Sequence, residues 1–143
     1  MPETMRIEED GRAAEALEAA LLHSLRGTLP QAENTAVTFV CRDGAGELTG
    51  GVSGGTAYGW LLVKLLWVAD AHRRCGLGSR LIEAVEERGR GIGCHSAWLD
   101  TSNPEAERFY SGHGYRPFGV LSNTAEQFPP THRRVFMKKA LTP

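Results

Sequence analysis

Long apolar runs are scarce in this sequence. The longest, Trp60 to Ala69, is interrupted by Lys64 and is far shorter than the roughly 20 residues that a membrane-spanning helix needs. The first ten residues, MPETMRIEED, are too acidic and too polar for a secretion signal. We therefore expect a cytoplasmic protein that has no membrane partner.

Cysteine is sparse as well. Cys41, Cys75 and Cys94 are an odd number without paired spacing, and the five histidines are scattered along the chain. This pattern argues against a disulfide framework and against a structural zinc site. We expect no metal, and a reducing compartment.

An excess of charge of either sign is missing too. Lysine and arginine number 16 and aspartate and glutamate number 17, which gives a formal net charge of −1. No overall field attracts the protein to nucleic acid, so a nucleic-acid-binding domain that uses Arg73 and Arg74 is a remote alternative. A local basic site remains open.

What the sequence does contain suffices for one domain. The chain has 143 residues, of which 41% are hydrophobic, and we expect a single domain over residues 1–143. Glycine is unusually frequent, with 17 residues, so the positions of the glycines become informative.

Hydrophobic spacing predicts a mixture of helices and strands. Apolar residues at helical spacing predict helices, and short β-rich or continuously apolar runs predict strands. The predicted helices are 11–26, 76–88 and 103–115, and the predicted strands are 35–42, 47–52, 60–68, 95–100, 115–121 and 132–141.

In three segments the sequence indicates the secondary structure less clearly. Arg6 and Ile7 are a candidate edge strand, and the segment SGGTAYG (53–59) is either a flexible connection or a strand weakened by glycine. Gly89, Gly91 and Gly93 are expected to fray the end of the second helix.

One segment carries a chemical pattern. A continuously apolar strand, a short polar turn, the hexapeptide Arg73–Gly78 and a helix follow one another. A helix N-terminus binds anions, glycine lets the backbone approach them closely, and arginine and serine side chains add donors. The segment lacks the Gly-Lys-Ser/Thr of a P-loop and the third glycine of a dinucleotide-binding turn. A plain glycine turn between strand and helix is the alternative.

The residues around this segment resemble the GNAT superfamily of acyl-CoA N-acyltransferases. The Arg/Gln-x-x-Gly-x-Gly/Ala signature of that family matches Arg73 to Gly78. Its downstream block, Asn-x-x-Ala-x-x-Phe-Tyr-x-x-x-Gly-Tyr, is matched by Asn103, Ala106, Phe109, Tyr110, Gly114 and Tyr115. Close matching covers about residues 57 to 121, and the flanking strands fit the family's order.

The resemblance implies a fold. It is an α/β (α+β) fold with a mixed, mostly antiparallel central sheet of six to seven strands and about four flanking helices. The fourth and fifth strands of such a sheet are splayed apart.

The resemblance also implies acetyl-CoA as the donor, with CoA as the product. The pantetheine arm would lie along Leu66, Trp67 and Val68. The pyrophosphate would bind the turn and helix start, where the implied residues are Arg73, Arg74, Cys75, Gly76, Leu77, Gly78 and Ser79. Asn103 would contact the cofactor or, alternatively, only cap the next helix.

The catalytic roles are carried over in the same way. Tyr110 would protonate the departing thiolate, and the amide of Val68 or Trp67 would hold the oxygen of the thioester carbonyl. Many family members have a glutamate base on the fourth strand. The matching strand here is residues 60–68, and its only ionisable side chain is Lys64. Asp100 is the nearest carboxylate and is the candidate base or a helix cap, and His132 is another candidate base.

The expected function is transfer of an acetyl group to a primary amine by direct attack in a ternary complex. The amine is a small molecule or a peptide. The alternative is a non-catalytic acyl-CoA-binding sensor or regulatory module, and dimerisation through the last two strands remains open.

Overall fold

The computed structural model of the protein describes residues 5–26 and 34–143. These residues fall into two compact units, one holding the described residues up to Arg26 and the other those from Asn34 onwards. Each unit is described by itself.

The first unit contains the helix α1, Ala14–Arg26, preceded by a 3₁₀ turn over Gly11–Ala13. Asp10 caps the turn, because its carboxylate accepts a 3.0 Å hydrogen bond from the Arg12 amide. The helix predicted from residue 11 is thus confirmed except for its first turn. The candidate strand at Arg6 and Ile7 is wrong, since both residues are irregular. Two residues offer too few backbone hydrogen bonds to hold an edge strand.

The second unit is built on one six-stranded sheet. Its strands in chain order are β1 (Ala36–Arg42), β2 (Leu48–Ala57), β3 (Trp60–Val68), β4 (Ser96–Thr101), β5 (Arg116–Ser122) and β6 (Arg133–Ala140). Their order across the sheet is β1-β2-β3-β4-β6-β5. Only β3 and β4 pair in parallel, and all other neighbours are antiparallel. Of the last two strands, β5 lies at an edge and β6 lies inside the sheet.

Strand β2 runs further than the sequence indicates. The segment SGGTAYG continues the strand to Ala57, and its glycines face β3 across an irregularity between Ser53 and Gly54. A Cβ placed on Gly54 would overlap the Leu62 carbonyl oxygen. Glycine therefore permits close approach of two backbones here, so the segment stays in the sheet instead of forming a loop.

The parallel step from β3 to β4 is made by the helix α2, Leu77–Ile92. Its Leu81, Ile82 and Val85 are buried and pack in the core formed with β1, β2 and β3. The expected fraying is wrong, because the helix continues through Gly89 and Gly91 and ends at Gly93 in a left-handed conformation. A Cβ on Gly89 would lie 3.2 Å from Leu61 Cδ2, so this glycine brings the helix close to the sheet.

The helix α3, Pro104–Gly112, connects β4 to β5. Behind it lies a buried polar cluster in which Glu86 of α2 accepts hydrogen bonds from the Tyr115 hydroxyl (2.9 Å) and Lys139 Nζ (2.7 Å). Glu86 is 2% exposed. A buried carboxylate is tolerated when it is paired and hydrogen-bonded in this way, and the cluster ties α2 to β6.

The predicted fold class is confirmed. The described residues form six strands and three α-helices, compared with the six to seven strands and about four helices expected. The fourth and fifth strands of the prediction are β3 and β4, because the expected first strand is absent from the described residues.

Candidate active site

Strands β3 and β4 separate from each other along most of their length. They pair only through Trp60 with Ser96, Leu61 with Ala97 and Leu62 with Trp98, whereas β3 continues to Val68. The irregularity that begins opposite Gly54 places one extra residue, Lys64, in β3. Bulges of this kind bend a strand, and the bend opens a gap in the middle of the sheet.

The gap exposes backbone groups of β3. The Ala69 amide donates to the Thr49 carbonyl oxygen at 2.9 Å, which marks residues 49 and 69 as a hydrogen-bonded pair with β2. Because antiparallel pairs alternate, Trp67 also bonds β2, while the backbone groups of Leu66 and Val68 point into the gap. An extended ligand can pair with them as an additional strand does.

A tight turn follows β3. A 3₁₀ turn over Asp70–His72 leads to Arg73, whose Nε donates to the Val68 carbonyl oxygen at 3.1 Å. Arg73 also forms an ion pair with Asp70 at 3.1 Å. The turn is thereby attached to the end of β3 beside the gap.

The turn ends in the N-terminus of α2. Gly76 precedes the helix with φ of 83° and provides no side-chain cap, so the first amides of the helix remain open to a ligand. No atom lies within 4 Å of a Cβ placed on Gly76, so its φ and not crowding favours glycine. Such a helix start attracts an anion.

The end of β3, the turn and α3 enclose a cleft of about 510 Å³. All predicted site residues except Cys75, Asp100 and His132 line it. The lining residues are Leu66, Trp67, Val68, His72, Arg73, Arg74, Gly76, Leu77, Gly78, Ser79, Asn103, Glu105, Ala106, Phe109 and Tyr110. The structure therefore brings the two sequence motifs, Arg73–Gly78 and the block that begins at Asn103, to the two walls of one cleft.

Tyr110 is the most buried of the polar side chains in this cleft, with 8% exposure. Its ring packs edge-on against Phe109 at 5.3 Å and Tyr115 at 5.8 Å between ring centroids. Burial raises the pKa of Tyr110 above its ordinary value, so the phenol keeps its proton at neutral pH. Within the described residues no group hydrogen-bonds its hydroxyl, which is therefore free to donate to a ligand.

Asn103 does cap the helix α3. Its side-chain oxygen accepts from the Glu105 amide at 2.9 Å, and its own amide donates to Thr101 Oγ1 at 3.1 Å. Pro104 occupies the first turn, as the sequence predicts. Because Asn103 also lines the cleft, capping and ligand contact are compatible at this position.

Asp100 lies away from the cleft. It belongs to β4, where the neighbouring Leu99 is buried in the core, so the Asp100 side chain points to the other face of the sheet. Its carboxylate accepts from Arg134 Nε at 2.9 Å. The structure does not bring Asp100 together with the other predicted site residues.

His132 and Cys75 also lie outside the lining. His132 Nε2 is 3.2 Å from Ser102 Oγ, beside a separate hollow of about 200 Å³. The Cys75 thiol is exposed and donates to the His72 carbonyl oxygen at 2.6 Å, which helps to shape the turn.

Sequence reasoning missed four lining residues: His72, Glu105, Ala106 and Phe109. A signal existed for two of them, because Ala106 and Phe109 belong to the same sequence block as Asn103 and Tyr110. His72 and Glu105 gave no signal, since only the path of the turn and the cap of α3 bring them to the cleft.

Among residues 5–26 and 34–143, no group of three or more His, Cys, Asp or Glu side chains could hold a metal ion. In the same part of the chain no helix is long and apolar enough to cross a membrane.

A splayed sheet, an open helix start beside the gap and a buried tyrosine on the opposite wall thus form one cleft. Residues 5–115 match the model of the acetyltransferase (GNAT) family, and the chain belongs to that family of acyltransferases.

Several proteins similar in sequence or structure are acetyltransferases. The chain is 34% identical over 112 residues to an acetyltransferase of Agrobacterium fabrum, covering 78% of this chain and 82% of that protein. It is 40% identical over 94 residues to the blasticidin-S acetyltransferase of Streptomyces morookaense, covering 65% of each. A crystal structure of an acetyltransferase from Bacillus cereus superposes with a TM-score of 0.81 at 28% identity, covering 95% of this chain and 97% of that one.

Proposed function

We propose that the protein transfers an acetyl group from acetyl-CoA to a primary amine of a small molecule. The observation that carries the proposal is one cleft that joins the end of β3 beyond its pairing with β4, the open N-terminus of α2 and the Tyr110 hydroxyl, which has no hydrogen-bond partner among residues 5–26 and 34–143. An acyl-CoA carries three groups that need such features: a pyrophosphate for the helix start, a pantetheine arm for the strand, and a thioester for the tyrosine at the far end of the arm.

The residues present fit such a donor. The backbone groups of Leu66 offer strand-like hydrogen bonds to the pantetheine arm. The amides of residues 76 to 79, together with Arg73 and Arg74, offer donors and positive charge to the pyrophosphate. Gly78 packs beside α3, since a Cβ there would lie 3.4 Å from Phe109 Cζ.

The Val68 amide is the proposed donor to the thioester carbonyl oxygen, which gains negative charge as the amine attacks. Alternation along β3 favours Val68 over Trp67, because the Trp67 amide is directed to β2. The Val68 carbonyl is already held by Arg73, so the strand end keeps its orientation.

Tyr110 is the proposed general acid. The nitrogen–carbon bond forms, the carbon–sulfur bond breaks, and the thiolate takes the proton of the Tyr110 hydroxyl. The proton lost by the amine nitrogen then restores Tyr110 through solvent. Its raised pKa keeps the phenol protonated until the thiolate departs.

The base is not assigned to Asp100 in this proposal. Its carboxylate is hydrogen-bonded to Arg134 and lies outside the cleft, so it cannot take a proton from an amine that attacks there without leaving its partner.

The similarity to blasticidin-S acetyltransferase supports a small-molecule amine as the acceptor. We therefore rank small-molecule amines with an antibiotic scaffold above peptide N-termini.

Calorimetric titration with acetyl-CoA, with CoA and NADPH as controls, tests the donor. We expect acetyl-CoA and CoA to bind and NADPH not to bind. A thiol-release assay with blasticidin S, other small amines and a peptide with a free N-terminus then tests the acceptor. Absence of binding to either CoA species would contradict the proposal, and binding without thiol release from any amine would favour an acyl-CoA sensor.

A further inference from the structure

A hydrogen bond connects the two helices on either side of the cleft. Ser79 Oγ, in the first turn of α2, lies 3.0 Å from His113 Nε2, and the two residues are 34 positions apart in the chain. Ser79 lines the cleft, whereas His113 follows the last residue of α3 and does not line it. The hydrogen bond to Ser79 thus connects His113 to a polar group of the cleft lining.

The imidazole ring of His113 packs against the ring of Phe109. Its centroid lies 4.6 Å from that of Phe109, which lines the cleft and packs beside Gly78. In this orientation beside Phe109, Nε2 faces Ser79 Oγ.

The direction of this hydrogen bond decides what Ser79 can do. If Nε2 has no proton, the Ser79 hydroxyl donates to it and turns oxygen lone pairs towards the cleft. If Nε2 carries a proton, it donates to Ser79 Oγ, and the hydroxyl proton is free to point into the cleft. Nδ1 of His113 has no partner within the described residues, so no group there imposes either tautomer.

A phosphate oxygen only accepts hydrogen bonds, so only the second arrangement is favourable beside a pyrophosphate. We propose that His113 is a positioning residue for the acyl donor: it donates Nε2–H to Ser79 and thereby directs the Ser79 hydroxyl proton at the donor's pyrophosphate. This inference rests on the proposed function, because it takes the anion in the cleft to be the pyrophosphate of acetyl-CoA.

Two acetyl donors and a set of variants test the inference. Acetyl-CoA carries the pyrophosphate and S-acetylpantetheine does not, so only the former can use Ser79. H113L keeps apolar contact with Phe109 and removes the hydrogen bond, and H113Q restores a donor at the Nε2 position. H95L is the matched control, since His95 also bonds a serine (Ser96, 2.9 Å) but neither residue lines the cleft.

We expect H113L to raise the KM for acetyl-CoA roughly fivefold, the size expected for one hydrogen bond, with kcat within about twofold. The KM for S-acetylpantetheine should stay unchanged, H113Q should restore the KM for acetyl-CoA, and H95L should change neither. In S79A, adding H113L should have no further effect. In protein labelled with ¹⁵N, CoA should shift His113 to the form protonated at Nε2.

Several results would overturn the inference. They are an equal rise of KM for both donors in H113L, additive effects of S79A and H113L, or an Nε2 without a proton in the CoA complex. Failure of the proposed function is distinguishable, because the unaltered protein would then bind no CoA species, and the role of His113 would be refuted with it.

Discussion

The guanidinium of Arg73 and the carbonyl of Val68 join the anion-binding turn to the end of the splayed strand, with 3.1 Å between Nε and the oxygen. Val68 is the last residue of β3, and its neighbour β4 has already diverged. The same arginine therefore fixes the strand end and supplies positive charge to the cleft.

Replacing Arg73 by methionine should weaken acetyl-CoA binding more than replacing Arg74 does. Both side chains line the cleft, but within the described residues only Arg73 bonds Val68 and Asp70. We expect a rise in Kd of roughly tenfold or more for R73M, and a smaller rise for R74M, measured by calorimetry. R73M should also weaken the binding of S-acetylpantetheine, because the end of β3 loses the hydrogen bond from Arg73 to the Val68 carbonyl. Equal effects of the two variants would contradict this role of Arg73.

Y110F should lower kcat by roughly 100-fold, with the KM for acetyl-CoA within about twofold. The substitution removes the hydroxyl that is free within the described residues and keeps the ring between Phe109 and Tyr115. Y58F, at an exposed turn, is the control and should have no effect. A Y110F variant that retains a third or more of the activity would exclude Tyr110 as the general acid and favour the sensor alternative.

D100N should lower kcat by no more than about threefold. The carboxylate is hydrogen-bonded to Arg134 and lies outside the cleft, so it should not act as the base. Loss of a true general base costs roughly 100-fold or more, which makes the two cases separable in a pH–rate profile. A loss of that size in D100N, with H132Q unaffected, would restore Asp100 as the base.

The free energy of unfolding should decrease above about pH 10, because the two buried tyrosines keep their protons in the folded protein. Burial raises the pKa of Tyr110, and burial and the charge of Glu86 raise that of Tyr115. Above the ordinary tyrosine pKa of about 10 the unfolded chain loses these protons and the folded chain keeps them, so the free energy of unfolding decreases as pH rises. Urea unfolding at pH 8 to 11 should show a shallower decrease for Y110F. The same decrease in both proteins would contradict the raised pKa.

G54A should destabilise the protein by about 3 kcal/mol or prevent folding. Its Cβ would overlap the Leu62 carbonyl oxygen, and neither backbone can move without breaking the β2–β3 ladder. G44A is the matched control, because no atom lies within 4 Å of a Cβ placed there. Thermal unfolding should show a large drop for G54A only, and unchanged melting of G54A would contradict the close approach.

Much of this fold follows from local pattern. The apolar run predicts β3 with its observed bounds, Trp60–Val68, because a short apolar run between turn signals indicates a strand. Burial on both faces does not follow, since Leu65 and Trp67 are exposed. The glycine turn after it, the start of α2 and the capped start of α3 are likewise local, since a cap or a left-handed residue is satisfied within a few positions. These elements line the cleft, so the residues that carry the resemblance in sequence are residues that the structure brings together.

Other features depended on partners far away in the chain. Gly54 and Gly89 weaken a strand and a helix by local propensity, yet each lies inside a regular element because its missing side chain admits Leu62 or Leu61. Asp100 is a plausible base by position, but the register of β4 with β6 gives it Arg134 as a partner.

The sequence alone determined the order of the elements and the residues of the anion-binding turn, since these depend on local backbone preference. The tertiary structure alone decided which side chains meet, as Ser79 meets His113, because sheet register and helix packing set those distances.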